Sequence, residues 1–161
     1  MSAGLVIRDA RPGDEAVILA LLKEFAEFEQ LTHLFKVTSE IIRRDFISDS
    51  RRVKCSVAEW NGAIVGLMTW FHSYRTFDAK SGIYLEDLFV RPDHRQRGIA
   101  KAMIKDLARR ALDEGSDRID WCVLDWNRNA IDFYQALGAK HAPEWQIYGL
   151  DADALARLAK A

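Results

Sequence analysis

The chain has 161 residues and a formal net charge of −1, with 49% hydrophobic and 29% charged residues. That composition suits one folded domain of ordinary size rather than a disordered segment. The balanced charge excludes the basic excess of a non-specific nucleic-acid binder, and no apolar stretch reaches the ~18 residues of a membrane span.

In chain order, Met1 to Asp9 is too short and too polar for a secretory leader, so a cytoplasmic protein is expected. Leu5-Val6-Ile7-Arg8 reads as a first strand. Pro12 suits the first turn of a helix, and Asp14 and Glu15 suit its dipole. Val17, Ile18, Leu21, Leu22, Phe25 and Phe28 trace a helical face to about Glu29. Thr38 is the expected N-cap of a second helix reaching Ile47. Val53 to Trp60 alternates as a strand, and Asn61-Gly62 predicts a tight hairpin into Ala63 to Phe71. Tyr74 to Gly82 reads as a polar connection, Ile83 to Val90 as a strand, and Ile99 to about Glu114 as a helix ended by Gly115. Beyond it are a strand at Arg118 to Leu124, a short helix at Ala130 to Leu137, a last strand at Trp145 to Tyr148 and a helix at Asp151 to Lys160. Strands and helices alternate around a central hairpin, which predicts a single α/β domain with a mixed sheet. Cys55 and Cys122 each fall in apolar, strand-like segments and are expected to be buried free thiols.

The chemistry concentrates after the strand ending at Val90. Arg95-Gln96-Arg97-Gly98-Ile99-Ala100 is a basic, Gly-containing turn that opens a helix, because Ile99, Met103, Leu107 and Ala111 then recur on one face. A helix N-terminus offers unpaired N–H groups and partial positive charge. Gly98 permits close backbone approach, and Arg95, Arg97 and Lys101 add charge, so the turn reads as a phosphate or pyrophosphate seat. It matches neither a Walker A loop nor G-x-G-x-x-G. The four His residues show no ligand spacing, so no metal is expected, and no G-x-S-x-G elbow is present. Glu86 and Asp87 sit side by side in a strand, where alternation would send them to opposite faces. A buried carboxylate is costly unless paired or used, so at least one is a functional candidate. Asn127 and Asn129 are natural helix caps, and Asn127 also lies where a ligand could be reached. Spacing alone leaves Tyr134 a packing residue of a short helix.

These stretches converge on one resemblance. The Arg95–Ala100 turn resembles the R/Q-x-x-G-x-G/A acetyl-CoA motif of the GNAT N-acetyltransferase superfamily. Tyr84-Leu85-Glu86-Asp87-Leu88-Phe89-Val90 resembles the Y-L-E-D-x-x-V strand of its diamine (spermidine/spermine) and thialysine N-acetyltransferase subfamily. Trp126-Asn127, then Ile131-x-Phe133-Tyr134 and Gly138-Ala139, resembles that subfamily's W-N-x-x-x-I-x-F-Y-x-x-x-G-A segment. Val6-Ile7-Arg8 and Ala26-x-Phe28-Glu29 resemble its opening strand and first helix.

The resemblance implies a GNAT fold, with a mixed, mostly antiparallel twisted sheet flanked by helices. It also implies acetyl transfer from acetyl-CoA to a primary amine of a small molecule. CoA contacts would come from Leu88, Phe89 and Val90, from Arg95, Gln96, Arg97, Gly98, Ile99, Ala100 and Lys101, and from Asn127 and Tyr134. Glu86 would take the amine's proton through water, and Tyr134 would protonate the departing thiolate. Glu29, Glu86, Asp87 and Trp126 would meet the acceptor. One loop departs from the polyamine enzymes: Tyr74-Arg75-Thr76-Phe77 stands where they carry Tyr-Asp-Pro-Trp. Arg75 would repel a polycation and suit an acceptor bearing a carboxylate as well as an amine. A homodimer is implied, with the Trp145–Tyr148 region reaching into the partner. A catalytically silent acyl-CoA sensor and an acetyltransferase acting on protein amines stand as alternatives.

Overall fold

The alternating segments form one sheet, in the order of the chain. Strands β1 (Leu5–Asp9), β2 (Lys54–Trp60), β3 (Ala63–Arg75) and β4 (Lys80–Val90) pair antiparallel, and β5 (Ile119–Asp120) pairs parallel with β4. The computed structural model describes residues 4–160, which fall into two compact units divided between Cys122 and Val123. Residues 1–3, at the head of the segment read for a leader, lie outside the described residues.

In the first unit, Asn61 (φ 50°) and Gly62 (φ 84°) supply the two left-handed residues of the β2–β3 turn. Helix α1 (Glu15–Phe28) buries Ile18, Leu21 and Leu22, the i, i+3, i+4 stripe predicted for it. Helix α2 (Ser39–Ile42) starts where the Thr38 hydroxyl accepts the Ile41 N–H at 3.3 Å, then widens into a π-helical stretch over Arg43–Ile47. Together with Val57, Leu67 and Phe89, these two helices make the core on one face of the sheet. Helix α3 (Ile99–Asp113) buries Ile99, Met103, Leu107 and Ala111 against Val65, Met68, Trp70, Ile83 and Leu85 on the other face. At Gly66 a Cβ would lie 2.9 Å from the Phe89 carbonyl oxygen, so glycine allows β3 its close approach to β4. The fork of Arg8 joins β1 to the start of α1, with Nη1 2.7 Å from Asp14 Oδ2. Burial alone would raise the Asp14 carboxyl, but the hydrogen bonds from Arg8 and the Arg11 N–H, with the charges of both arginines, together hold it below the ordinary range.

Four expectations change in this unit. Pro12 lies in the turn ahead of α1, not in its first turn. The polar connection at Tyr74 to Gly82 is mostly strand, because β3 runs to Arg75, β4 begins at Lys80 and Arg75 pairs with Lys80. The predicted strand at Arg118 to Leu124 narrows to Ile119–Asp120, because its ladder ends at Tyr84↔Asp120, just ahead of a bulge in β4 that bends the strand. Cys55 is a buried free thiol as expected, but Cys122 is exposed and accepts the Tyr84 hydroxyl at 3.2 Å.

The second unit holds α4 (Arg128–Ala136) and α5 (Ala152–Leu158), the latter capped by Asp151, which accepts the Ala154 N–H at 2.8 Å. The strand expected at Trp145 to Tyr148 is absent. The Trp145 N–H donates to the Ala142 carbonyl at 3.2 Å, and the Tyr148 hydroxyl to Gln146 at 2.8 Å.

Candidate active site

A break in strand register builds the acidic half of the site. Thr69 pairs with Asp87 and the next residue, Trp70, pairs with Leu85, which leaves Glu86 as an extra residue in β4. The phase of the strand changes across this bulge. Ile83 and Leu85 belong to the core beneath α3, whereas Phe89 belongs to the core beneath α1. In an unbroken strand those three would share a face with Asp87. The bulge therefore turns Asp87 toward α1, with Glu86 near enough for its charge to act on Asp87. Glu86 stays exposed.

Asp87 is held from across the sheet. Its Oδ2 accepts a 2.5 Å hydrogen bond from the hydroxyl of the fully buried Thr69. Burial pushes the Asp87 carboxyl up to about 6; the Thr69 hydrogen bond pulls it down, and the charge of Glu86 adds to the rise. Glu29, the C-cap of α1, is also raised, first by burial and then by Asp87. The structure thus brings Glu29, Glu86 and Asp87 into one acidic group.

Arg75 is elsewhere. It stands near the end of β3, ion-paired with Asp117 and, at 3.0 Å, with Asp78. Lys80 joins at 2.7 Å, and Lys80 and Arg75 together hold the Asp117 carboxyl near 2. The fork that was to repel a polycation or meet a carboxylate is already engaged by two carboxylates.

Strand β4 leads from the acidic group into the basic turn. Phe89 and Val90 point their side chains into the cores, leaving backbone as what they offer a ligand. Two left-handed residues, Gln96 (φ 60°) and Gly98 (φ 77°), curl the chain into α3. The first intrahelical bond runs from Ala102 N–H to Gly98 O, so the N–H groups of Ile99, Ala100 and Lys101 precede it. Neither arginine of the turn simply extends into solvent. Arg95 donates from Nε to the Val90 carbonyl at 2.9 Å, with its guanidinium over Phe28 and Phe89 at 4.8 and 5.6 Å, and desolvation there lowers its pKa. Arg97 lies 5.8 Å over Trp60. What the turn presents to a ligand is therefore mainly backbone N–H, with exposed Lys101 beside it.

The second unit carries Trp126, Asn127 and Tyr134. Capping falls to Asn127 rather than Asn129: its Oδ1 accepts the Ala130 N–H at 3.2 Å and starts α4. Tyr134 is half-buried on α4, in ring contact with Phe133 at 5.3 Å, and Trp126 is exposed ahead of the cap. Sequence reasoning missed Thr69 and the bulge. The signal for the bulge was present: a regular strand would have set Asp87 among Ile83, Leu85 and Phe89 on one apolar row. Among the described residues, no group of three or more His, Cys, Asp or Glu is gathered as a metal site, and no helix is long and apolar enough to cross a membrane.

Strand β4, whose ladder with β5 ends at Tyr84, runs into a turn that opens α3 with unbonded backbone N–H groups. The chain belongs to the Acetyltransferase (GNAT) family, which it matches over residues 18–139. It is an acetyl-CoA-dependent N-acetyltransferase. Within the family it is 37% identical to the thialysine N-epsilon-acetyltransferase of Bos taurus, over 98% of both chains. It is 32% identical to an L-ornithine N5-acetyltransferase of Arabidopsis thaliana, covering 96% of this chain and 87% of that one. The fold matches an integron cassette protein from the mobile metagenome of V. cholerae with a TM-score of 0.77 at 24% identity, over 99% of this chain and all of that one.

Proposed function

We propose that the enzyme acetylates the side-chain amine of a small, lysine-like amino acid or a diamine. The observation that carries this reading is the acidic group of Glu86 and Asp87, on the strand that leads into the turn before α3, with Glu29 at the end of α1. Such amines are cationic at neutral pH, with pKa about 10.4 for a lysine-like group. Clustered carboxylates favour binding a cation and disfavour binding an anion. The printed names of the relatives agree: thialysine and ornithine are both amino acids with a side-chain amine. Engagement of Arg75 by Asp117 and Asp78 weakens the sequence argument against polyamines, so the preference for amino acids rests on those relatives instead.

Acetyl-CoA supplies the activated acyl group. Its pyrophosphate is assigned to the N–H groups of Arg97 to Lys101, and its pantetheine arm to the backbone of Leu88 to Val90, where the β4–β5 ladder has ended. The acceptor ammonium must lose a proton before it attacks. Glu86, exposed at the bulge, is assigned that proton, taken through water. Tyr134 is assigned the proton donated to the leaving thiolate. A tyrosine of pKa about 10 and a thiol of about 8.5 are close enough for that transfer once the two are aligned. Trp126 and Asn127 are assigned to the acceptor and to CoA respectively. A homodimer completes the reading, because Trp145, Ile147 and Tyr148 expose large apolar side chains.

An acceptor screen tests the proposal. Thialysine, ornithine and spermidine should each be assayed with acetyl-CoA, reading free thiol release and the acetylated product by mass. Turnover of at least one is expected. Activity confined to protein amines would replace this reading.

A further inference from the structure

Thr69 is fully buried in an otherwise apolar stretch of β3, between Met68 and Trp70. A hydroxyl there without a partner would be costly, and a valine of the same shape would fit. The hydroxyl has a partner, Asp87 Oδ2, only because the Glu86 bulge sets Asp87 directly opposite Thr69 on the α1 side of the sheet. We infer that Thr69 is a positioning residue for the acceptor: its hydroxyl holds Asp87 in place and in charged form, so that Asp87 and Glu29 grip the acceptor ammonium together. This rests on the proposed reading of the acidic group as the acceptor's seat.

The groups facing Asp87 set the electrostatics. Glu29 comes from α1, Glu86 from the same strand, and Cys55 from β2. The Cys55 thiol is pushed up to about 12, by burial first and then by Asp87 and other carboxylates, so it stays neutral. Among these titratable neighbours every charge is negative. Each carboxylate resists ionising beside the others, and the Thr69 hydrogen bond is the contact that favours the charged form. An ammonium between Asp87 and Glu29 would relieve the repulsion. Protonation of Asp87, pushed up to about 6 in the acceptor-free protein, should release it.

The test compares wild type with Thr69→Val and Thr69→Ser. Carbon-13 titration of the Asp87 side-chain carboxyl in the acceptor-free protein is the first readout, and it needs no turnover. Removing the hydroxyl takes away the bond that favours the charge, so Asp87 should titrate at higher pH in Thr69→Val, and Thr69→Ser should restore it. Calorimetry of thialysine binding to the enzyme charged with CoA is the second readout. Wild-type affinity should weaken as pH falls through about 6. Thr69→Val should weaken from a higher pH, by about tenfold at pH 6 for one unit of displacement, while the Kd of CoA stays unchanged. An unmoved Asp87 titration in Thr69→Val, with only a lower Tm, would reduce Thr69 to a packing residue and overturn the inference. Absence of thialysine binding at every pH would overturn the lysine-like reading instead, with the carboxyl titration still deciding the role of Thr69.

Discussion

The proposal gives Tyr134 a proton transfer and Asp87 a hold on the acceptor, so their removal should have opposite signatures. Tyr134→Phe keeps the ring that packs on Phe133 and deletes only the hydroxyl. If Tyr134 protonates the leaving thiolate, kcat should fall by roughly 10²-fold or more. Binding of acetyl-CoA should be nearly unchanged, and single-turnover kinetics beside equilibrium binding separates the two. A chain that only senses acyl-CoA would show no rate to lose. Asp87 carries a stability cost beside its proposed role. Its folded pKa of about 6 lies above the ordinary carboxyl value near 3.9, so the folded state binds its proton more tightly than the unfolded state does. The penalty of its charge is therefore fully present above about pH 6 and fades as pH falls toward 4. Asp87→Asn should raise stability at pH 7 by roughly 1–2 kcal/mol while weakening the acceptor. Urea melts at pH 5 and pH 7 check the sign, because the gain should shrink at the lower pH.

At the scale of elements, the turn into α3 is the clearest device. Gly98 holds φ 77°, and a Cβ there would meet no atom within 4 Å. The penalty of Gly98→Ala is thus purely conformational, about 1–2 kcal/mol for a left-handed alanine. It should fall on the curl that aims the N–H groups, and so raise the Kd of acetyl-CoA by about tenfold, measured by calorimetry. This turn was legible in the sequence because glycine and the four-residue apolar repeat of α3 are local signals. So were the stripe of α1, the Asn61-Gly62 hairpin and the cap at Thr38. Three other features depend on partners distant in sequence. The bulge at Glu86 exists only against Thr69 and Trp70, and it overrode simple alternation. The Arg75 fork looked available until β3 and β4 extended and set it beside Asp117. The strand expected at Trp145 to Tyr148 had the right residues, but a strand also needs a neighbour to pair with. The catalytic candidates divide the same way. Glu86 stood out as a carboxylate in a strand, whereas Tyr134 was raised above a packing residue only by family resemblance.

At the scale of the whole molecule, two proposals follow. The segment after α4 leaves Trp145, Ile147 and Tyr148 at 75%, 81% and 86% exposure. Such a surface calls for a cover, and a second copy supplies one of matching chemistry. Sedimentation should find a dimer, and Ile147→Asp should shift it toward monomer; a wild type monomeric at high concentration would refute the assembly. The central claim is that this GNAT chain uses its acidic group to present a small cationic amine to acetyl-CoA. Thiol release from acetyl-CoA in the presence of thialysine, compared between wild type and Asp87→Asn, measures that claim most directly. The account predicts turnover by wild type and a markedly raised KM for thialysine in the variant, with the Kd of CoA unaltered. Equal KM values in the two proteins would contradict it.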